Sequence, residues 1–573
     1  MQDIPRRIET RILKKLHFLY GRHSGEFAFR NLKRILEDFS LLYKIKDARK
    51  KFTERDIILI TYGGMIHDDR PPLHTLVSFA RTYLKSKINT IHVLPFFKYH
   101  SDRGFSIIDH RMTDPKQGDW EDIKELGKDF NLMIDLVINH VSDRHRWFQE
   151  FRKGNPDYRD FFIWYSEGNL PLQEDLQKVF RPRITPLFTK YDTSMGKRCV
   201  WTTFPLHQVD LNFKNPQVLL EMIKIMLFYI SKGADIVRLD AIAFIWKELG
   251  TTCIHLRQTH MIVQLIRDVL DVTAPHVSII TETNVPQKEN VEYLGDGRNE
   301  AQMVYNFALP PLVIHALYTG DATYISKWAE KLQAPSDDTA FFNFLDSHDG
   351  IGILGVNGIL PEREIKMMIR RLKEIGGFVS YKINQNGVES PYEMNATWWS
   401  ALNAGYEDLE IEVRRYCVSR SIALCLKGVP AIYLNGLVGA LNDKAAVKRK
   451  GNNRDINRRN FKERELIKRI EDKNCWMHKV FHVYIDLLEK RRKEPAFHPS
   501  SYQKILHLDS SVFALRRTTL DKKESLIALH NLSDQKRPVE LKTGSYYDIL
   551  SEKSYNRAIE LEPYQILWLK ENG

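Results

Sequence analysis

The sequence predicts a (β/α)8 barrel with a subdomain inserted after the third strand and a small all-β domain at the C-terminus. Three observations lead there. Eight short apolar runs, each ending in a polar cluster and followed by an amphipathic helical stretch, recur between residues 56 and 436. The rhythm is interrupted once at length, between "DLVINH" and "GADIVRLDA". Beyond about residue 485, short alternating runs such as "SSVFALRRTT", "SLIALHNLS" and "QILWLK" take over.

Taken in order, residues 1–54 are charged, poor in Gly and Pro and helical in period ("RILKKLHFLY", "FAFRNLKRILEDFSLLYKI"), which predicts a helical N-terminal extension. The barrel is expected over 55–484. Its strands are "DIILITYGG", "TIHVLPFF", "LMIDLVINH", "ADIVRLDA", "SIITETN", "MVYNFAL", "AFFNFLDSHD" and "PAIYLNG". The insertion, expected over 141–205, contains "NPDYRDFFIWYSEGNLP" and "FRPRITPLFTKYD". The C-terminal β domain is expected over 485–573.

Composition narrows the function classes. With 85 basic and 73 acidic residues the formal charge is +12, yet no helix or arm concentrates it. The densest basic run, residues 444–469, carries no aromatic stacking pattern. A solvated face and a site for a small anion therefore stay open there, and nucleic acid is not expected. The five cysteines match no disulfide or zinc spacing, no window is apolar enough to span a membrane, and no signal peptide opens the chain. A cytoplasmic protein, monomer or homodimer, is the expectation.

Barrel enzymes place their chemistry where the strands end. The polar residues at those ends are Asp102, Asp135, Asn139, His140, Arg238, Asp240, Glu282, His348 and Asp349. One acidic residue at a strand end is ordinarily a cap or half of an ion pair. Three of them, Asp240, Glu282 and Asp349, opening into one mouth would repel each other unless they had work to do. Two carboxylates ~5 Å apart run a retaining displacement at a sugar's anomeric carbon, one attacking and the other protonating the leaving oxygen. On this reading Asp240 attacks, and Arg238, two residues earlier on the same strand face, keeps its pKa low. Glu282, raised by its anionic neighbour, donates the proton. Asp349 stabilises the oxocarbenium-like charge.

The motifs "DLVINH", "VRLDA", "ITET" and "FLDSHD" resemble the four sequence regions of the alpha-amylase family, in the family's order. Within it, "SDRGFSIIDH", "FRPR", "GTTCIHL", "FALPPLVIHAL", "SHDGIGI" and "NNRDINR" resemble the sucrose phosphorylase branch from about residue 56 to 570. "ITETNVPQKEN", "VWTTFPLHQVDLN" and "SPYEMN" are nearest to its glucosylglycerate phosphorylases. The resemblance implies a nucleophile at Asp240, an acid/base at Glu282 and a stabiliser at Asp349. It also implies a glucosyl pocket of Asp102, Phe105, His140, Arg238, His348 and Arg454, with Arg103 adding a cation beside it. The acceptor and phosphate side would hold Arg181, Arg183, Tyr392 and Glu393, the last where sucrose phosphorylases carry Gln.

The implied reaction moves an α-glucosyl unit from 2-O-α-glucosylglycerate to phosphate, giving α-glucose 1-phosphate and glycerate. Phosphate is a co-substrate; no cofactor and no metal are expected, Asn139 being read as support for the site. Phosphate and a glycerate carboxylate accept the same bidentate guanidinium bonds, so arginines on the acceptor side suit both. The nucleophile motifs alone leave other outcomes open: a phosphorylase of sucrose or sucrose 6'-phosphate, an α-glucoside hydrolase or transglucosidase, or a non-catalytic barrel serving as a partner subunit.

Overall fold

A computed structural model describes residues 4–48, 51–384, 387–403 and 408–572. Eight parallel strands close into a barrel: β1 (Ile58–Thr61), β2 (Thr90–Val93), β3 (Asn131–Val137), β4 (Ala234–Asp240), β5 (Ser278–Thr281), β6 (Met303–Tyr305), β7 (Ala340–Asn343) and β8 (Val429–Tyr433). Each neighbours the next in chain order, and β1 pairs with both β2 and β8. All eight expected runs are strands. They are apolar on both faces because helices cover the outside and side chains fill the inside.

The register carries the chemistry. Arg238 on β4 sits level with Asp135 on β3 and Ile280 on β5. Since side chains alternate along a strand, Arg238 and Asp240 share one face. Their charges reach the same end of the barrel.

The long interruption after β3 folds partly into a three-stranded antiparallel sheet, Trp164–Ser166, Phe188–Thr193 and Gly196–Trp201. A second excursion, after β7, was not separated in the sequence. It is the hairpin Phe378–Ile383 and Glu389–Asn395, joined by Ile351–Gly352. Tyr392 and Glu393 therefore lie on a strand rather than in a loop.

At the N-terminus the helix α1, Arg6–Leu42, breaks its dihedrals at Gly21 (φ 73°). Ile12, Leu16, Ala28, Leu32 and Leu36 are buried against the barrel's outer helices α2 (Pro216–Ser231) and α3 (Arg257–Thr273). Arg11 and Lys15 pair with Asp268 of α3 at 2.7 and 2.5 Å. Of the stretch 1–54, residues 1–3 and 49–50 lie outside the described residues.

The helix Trp476–Arg492 runs across residue 485, its Met477, Val480, Phe481, Tyr484, Leu487 and Leu488 facing inward at helical spacing. The six-stranded C-terminal sheet begins only at Tyr502 and ends at Glu571. Among the described residues no helix is long and apolar enough to cross a membrane.

Candidate active site

Arg238, 1% exposed, donates from Nε to the Tyr305 hydroxyl at 3.0 Å and from Nη1 to Asp240 Oδ1 at 2.7 Å. The same Nη1 meets Asp135, whose other oxygen is 2.6 Å from His92 Nε2. Its Nη2 lies 3.9 Å from Glu282. One guanidinium thus ties three carboxylates from β3, β4 and the end of β5. Without it the mouth would hold buried like charges, each carrying a desolvation cost.

Arg238 does not, however, leave Asp240 with a low pKa. Burial, together with Glu282 and Asp135, outweighs the guanidinium and pushes the Asp240 carboxyl up to about 8. Glu282 is also raised, by burial first and by Asp349 among its neighbours. The two carboxyls titrate as a pair. When the pair holds one proton, the closer approach of Arg238 to Asp240 (2.7 against 3.9 Å) favours the anion on Asp240 and the proton on Glu282.

Directly after Asp240 the chain turns through a left-handed residue, Ala241 (φ 50°, ψ 32°). This conformation is costly for a residue with a Cβ and is stored at sites that need it. Here it aims the Ala241 N–H at Glu282 Oε2, 3.1 Å away.

Asp349 has opposite electrostatics. Burial would raise its pKa, but Arg454, His348 and Arg458 together hold it well below the usual carboxylate range. Arg454 Nη1 pairs with Asp349, while its Nε and Nη2 form a fork on Glu393 at 3.0 and 2.5 Å. Arg458 Nη2 is 3.8 Å from Asp349, and His348 Nε2 3.5 Å.

Asp102, Phe105, His140, Asp240, Glu282, His348, Asp349, Tyr392, Glu393, Arg454 and Arg183 line one cavity. Phe105 stacks on His348 with ring centroids 4.9 Å apart and planes 3° from parallel. His140 donates from Nε2 to the Phe105 carbonyl at 3.1 Å, and burial lowers its pKa to about 4, so its ring is neutral. Residues 102–104 all have positive φ, and at Gly104 (φ 114°) a Cβ would fall 2.3 Å from the Pro95 carbonyl oxygen, so only glycine fits.

Two cations fall elsewhere than expected. Arg181 does not reach the cavity; its guanidinium caps the Thr185 carbonyl, and its backbone bridges Ile383 of the hairpin. Arg103, in the left-handed conformation (φ 48°), turns away from the pocket. It pairs with Asp455 at 2.8 Å and donates to the Arg458 carbonyl at 2.8 Å, holding the segment that carries Arg454. Arg183 does line the cavity, its guanidinium 5.6 Å from the Phe204 ring centre and 5.4 Å from that of Tyr392. Among the described residues no carboxylate lies within salt-bridge range of it.

The sequence reading missed Arg458, which is fully buried and donates to the His348 carbonyl at 2.6 Å. Its signal stood in "NNRDINRR", four residues after Arg454. It also missed Gln208, which holds Asp102 at 3.3 Å, and the ring walls Phe204, Phe244 and Phe307.

Behind the site, the Lys247 ammonium bonds Asn139 Oδ1 at 2.7 Å and Asp210 at 2.7 Å, and Asn139 Nδ2 donates to Asp210 at 3.2 Å. The Asn139 and Asp210 oxygens, the donors a hard cation would use there, are committed to a side-chain cation instead.

Comparisons with known proteins identify the family. Residues 82–372 match the family described as alpha amylase, catalytic domain. The chain is 40% identical to a glucosylglycerate phosphorylase of Spirochaeta thermophila, over 98% of both chains. It is 39% identical to one of Escherichia coli, over 98% of this chain and all of that one. In three dimensions it resembles the sucrose 6F-phosphate phosphorylase of Thermoanaerobacter thermosaccharolyticum, with a TM-score of 0.75 at 24% identity, covering 88% of this chain and 98% of that one.

Proposed function

Since this chain belongs to the alpha-amylase family, we propose that it is a retaining phosphorylase that cleaves 2-O-α-glucosylglycerate with phosphate to α-glucose 1-phosphate and glycerate. The Asp240 carboxylate attacks the anomeric carbon while the bond to the glycerate oxygen breaks, and Glu282 gives that oxygen its proton. Glycerate leaves. A phosphate oxygen then attacks the glucosyl ester from the vacated face, its proton passing to Glu282, and Asp240 is freed. Two inversions at one carbon restore the α configuration.

The other residues follow from where they sit. Asp349, kept ionised by Arg454 and Arg458, faces the positive charge that develops on the ring. The stacked Phe105 and His348 offer an apolar wall to a sugar face. Asp102 and Arg454, linked through Arg458 and Asp349 in turn, close the far end around the sugar hydroxyls.

One observation carries the choice of acceptor: Arg183 points its guanidinium into the cavity between two aromatic rings with no carboxylate of the described chain to pair with. A half-buried arginine of that kind, held by one bond to the Pro182 carbonyl at 2.9 Å, suits an anion that arrives with the substrate, glycerate in one half-reaction and phosphate in the other. The relatives named for glucosylglycerate support the same reading. The five cysteines, all free, support a cytoplasmic location.

The deciding experiment supplies α-glucose 1-phosphate and, in turn, glycerate, fructose, fructose 6-phosphate, glycerol, glucose and water, and measures released phosphate. Glycerate should exceed the others in kcat/KM. Preference for fructose or glycerol would assign a neutral-acceptor phosphorylase, and free glucose formed with water alone, in step with the phosphate released, a hydrolase.

A further inference from the structure

Outside the catalytic constellation, three side chains from separate segments meet near the pocket rim. His100 follows the strand Phe97–Tyr99, Asp143 follows the strand His140–Ser142, and His207 ends the insertion just before Gln208. His100 Nδ1 lies 3.1 Å from Asp143 Oδ1, and His207 Nδ1 lies 2.7 Å from Oδ2. The two rings meet edge to face at 4.4 Å, and one donor atom from each residue lies within 4.8 Å of the others.

The charge is unbalanced. Asp143 is only 16% exposed, and among the described residues its charged partners are these two histidines; no Lys or Arg reaches it. With neutral imidazoles the group carries a net negative charge and holds it by two N–H···O bonds. Two imidazole nitrogens and one carboxylate form the donor set that divalent transition ions of zinc type take, whereas magnesium and calcium prefer oxygen alone. A tetrahedral ion with bonds of about 2.0–2.2 Å sets its ligands roughly 3.3 Å apart; the two histidine–carboxylate separations, 3.1 and 2.7 Å, lie near that value, and donors within 4.8 Å of one another need only small rotations to reach it.

We propose that His100, Asp143 and His207 form a binding site for a divalent transition-metal ion of the zinc class. On binding, each neutral imidazole offers the Nδ1 lone pair and carries its proton on Nε2 instead, so no net proton is released. His207, 39% exposed, leaves a way in and a coordination position for water.

The ion would fasten the insertion to the barrel mouth. The Asp143 N–H already donates to the His207 carbonyl at 3.2 Å, and Ser106 Oγ donates to the same oxygen at 2.8 Å. Gln208, next in the chain, holds Asp102. A metal at this point therefore ties together the segments bearing Asp102, Phe105 and His140 without touching the reacting carboxylates.

The test is titration calorimetry of the chelator-stripped full chain with Zn2+, alongside Co2+ absorption and thermal unfolding. One Zn2+ per chain should bind and raise the unfolding temperature, Co2+ should give the visible bands of a low-symmetry site, and Mg2+ and Ca2+ should do neither. His207→Ala and His100→Ala should each weaken Zn2+ at least tenfold and abolish the Co2+ bands, while retaining activity in the absence of metal. The pair His478 and His482, whose rings lie 4.2 Å apart, is the rival site. Unchanged binding in His207→Ala, loss of binding in His478→Ala instead, or no Zn2+ bound by the intact chain would each overturn the proposal.

Discussion

Arg183→Ala separates the acceptor from everything else in the site. Besides a hydrogen bond to the Pro182 carbonyl, lost equally with every acceptor, truncation removes two contributions: the guanidinium's contacts with Phe204 and Tyr392, about 0.5–2 kcal/mol each, and its pairing with the acceptor's anion. The first loss is the same whatever acceptor binds, since both rings belong to the protein. The second exists only for a charged acceptor. A truncated partner of a desolvated ion pair costs about 2–5 kcal/mol, and because Arg183 is half-buried the lower part of that range, about 2–4 kcal/mol, applies. At 1.4 kcal/mol per decade this is roughly a 30- to 700-fold fall in kcat/KM for glycerate relative to glycerol. The assay measures both acceptors at limiting concentration with α-glucose 1-phosphate as donor. Arg183→Lys, which keeps the charge but not the fork, should fall between wild type and Ala. An equal loss for glycerol and glycerate would refute the pairing and reduce Arg183 to a prop for the two rings.

Asp240→Asn should abolish transfer from every α-glucosyl donor; wild-type rates would end the double-displacement account. Glu282→Gln should cripple donors with poor leaving groups far more than activated aryl glucosides, as stopped assays on both would show. In the same variant the acid limb of the kcat/KM profile for the activated donor should stay near its wild-type position, because Asp240 ionises while Glu282 still holds its proton and Gln is neutral like the acid it replaces; a marked shift to lower pH would mean that Glu282 loses its proton first. Proton NMR of the first product should show the α anomer of glucose phosphate, and initial β anomer would rule out retention. Lys247→Met, which leaves Asp210 buried and uncompensated, should cost about 3–5 kcal/mol in denaturant unfolding, against under 1 kcal/mol for an exposed lysine such as Lys542.

Features that repeat locally can be read from the residues alone. Barrel strands were legible because a strand buried on both faces must be apolar, and its polar residues are confined to the end that opens on solvent. For the same reason Asp240, Glu282 and Asp349 could be placed at one mouth, and the two-residue period put Arg238 beside Asp240. Tertiary structure decided what depends on partners far along the chain. Arg181 and Arg183 look alike in "FRPR", yet a carbonyl four residues on captures one, and rings from the insertion and the hairpin hold the other. Arg103 sits between two pocket residues, and only its left-handed backbone and Asp455 turn it outward. The helix reaching Arg492 hid its inward face among charges that a local window reads as a change of texture. Proton affinity was least legible. Arg238 was visible and its effect on Asp240 has the expected sign, but the desolvation that outweighs it belongs to the closed barrel, which no local stretch of sequence contains.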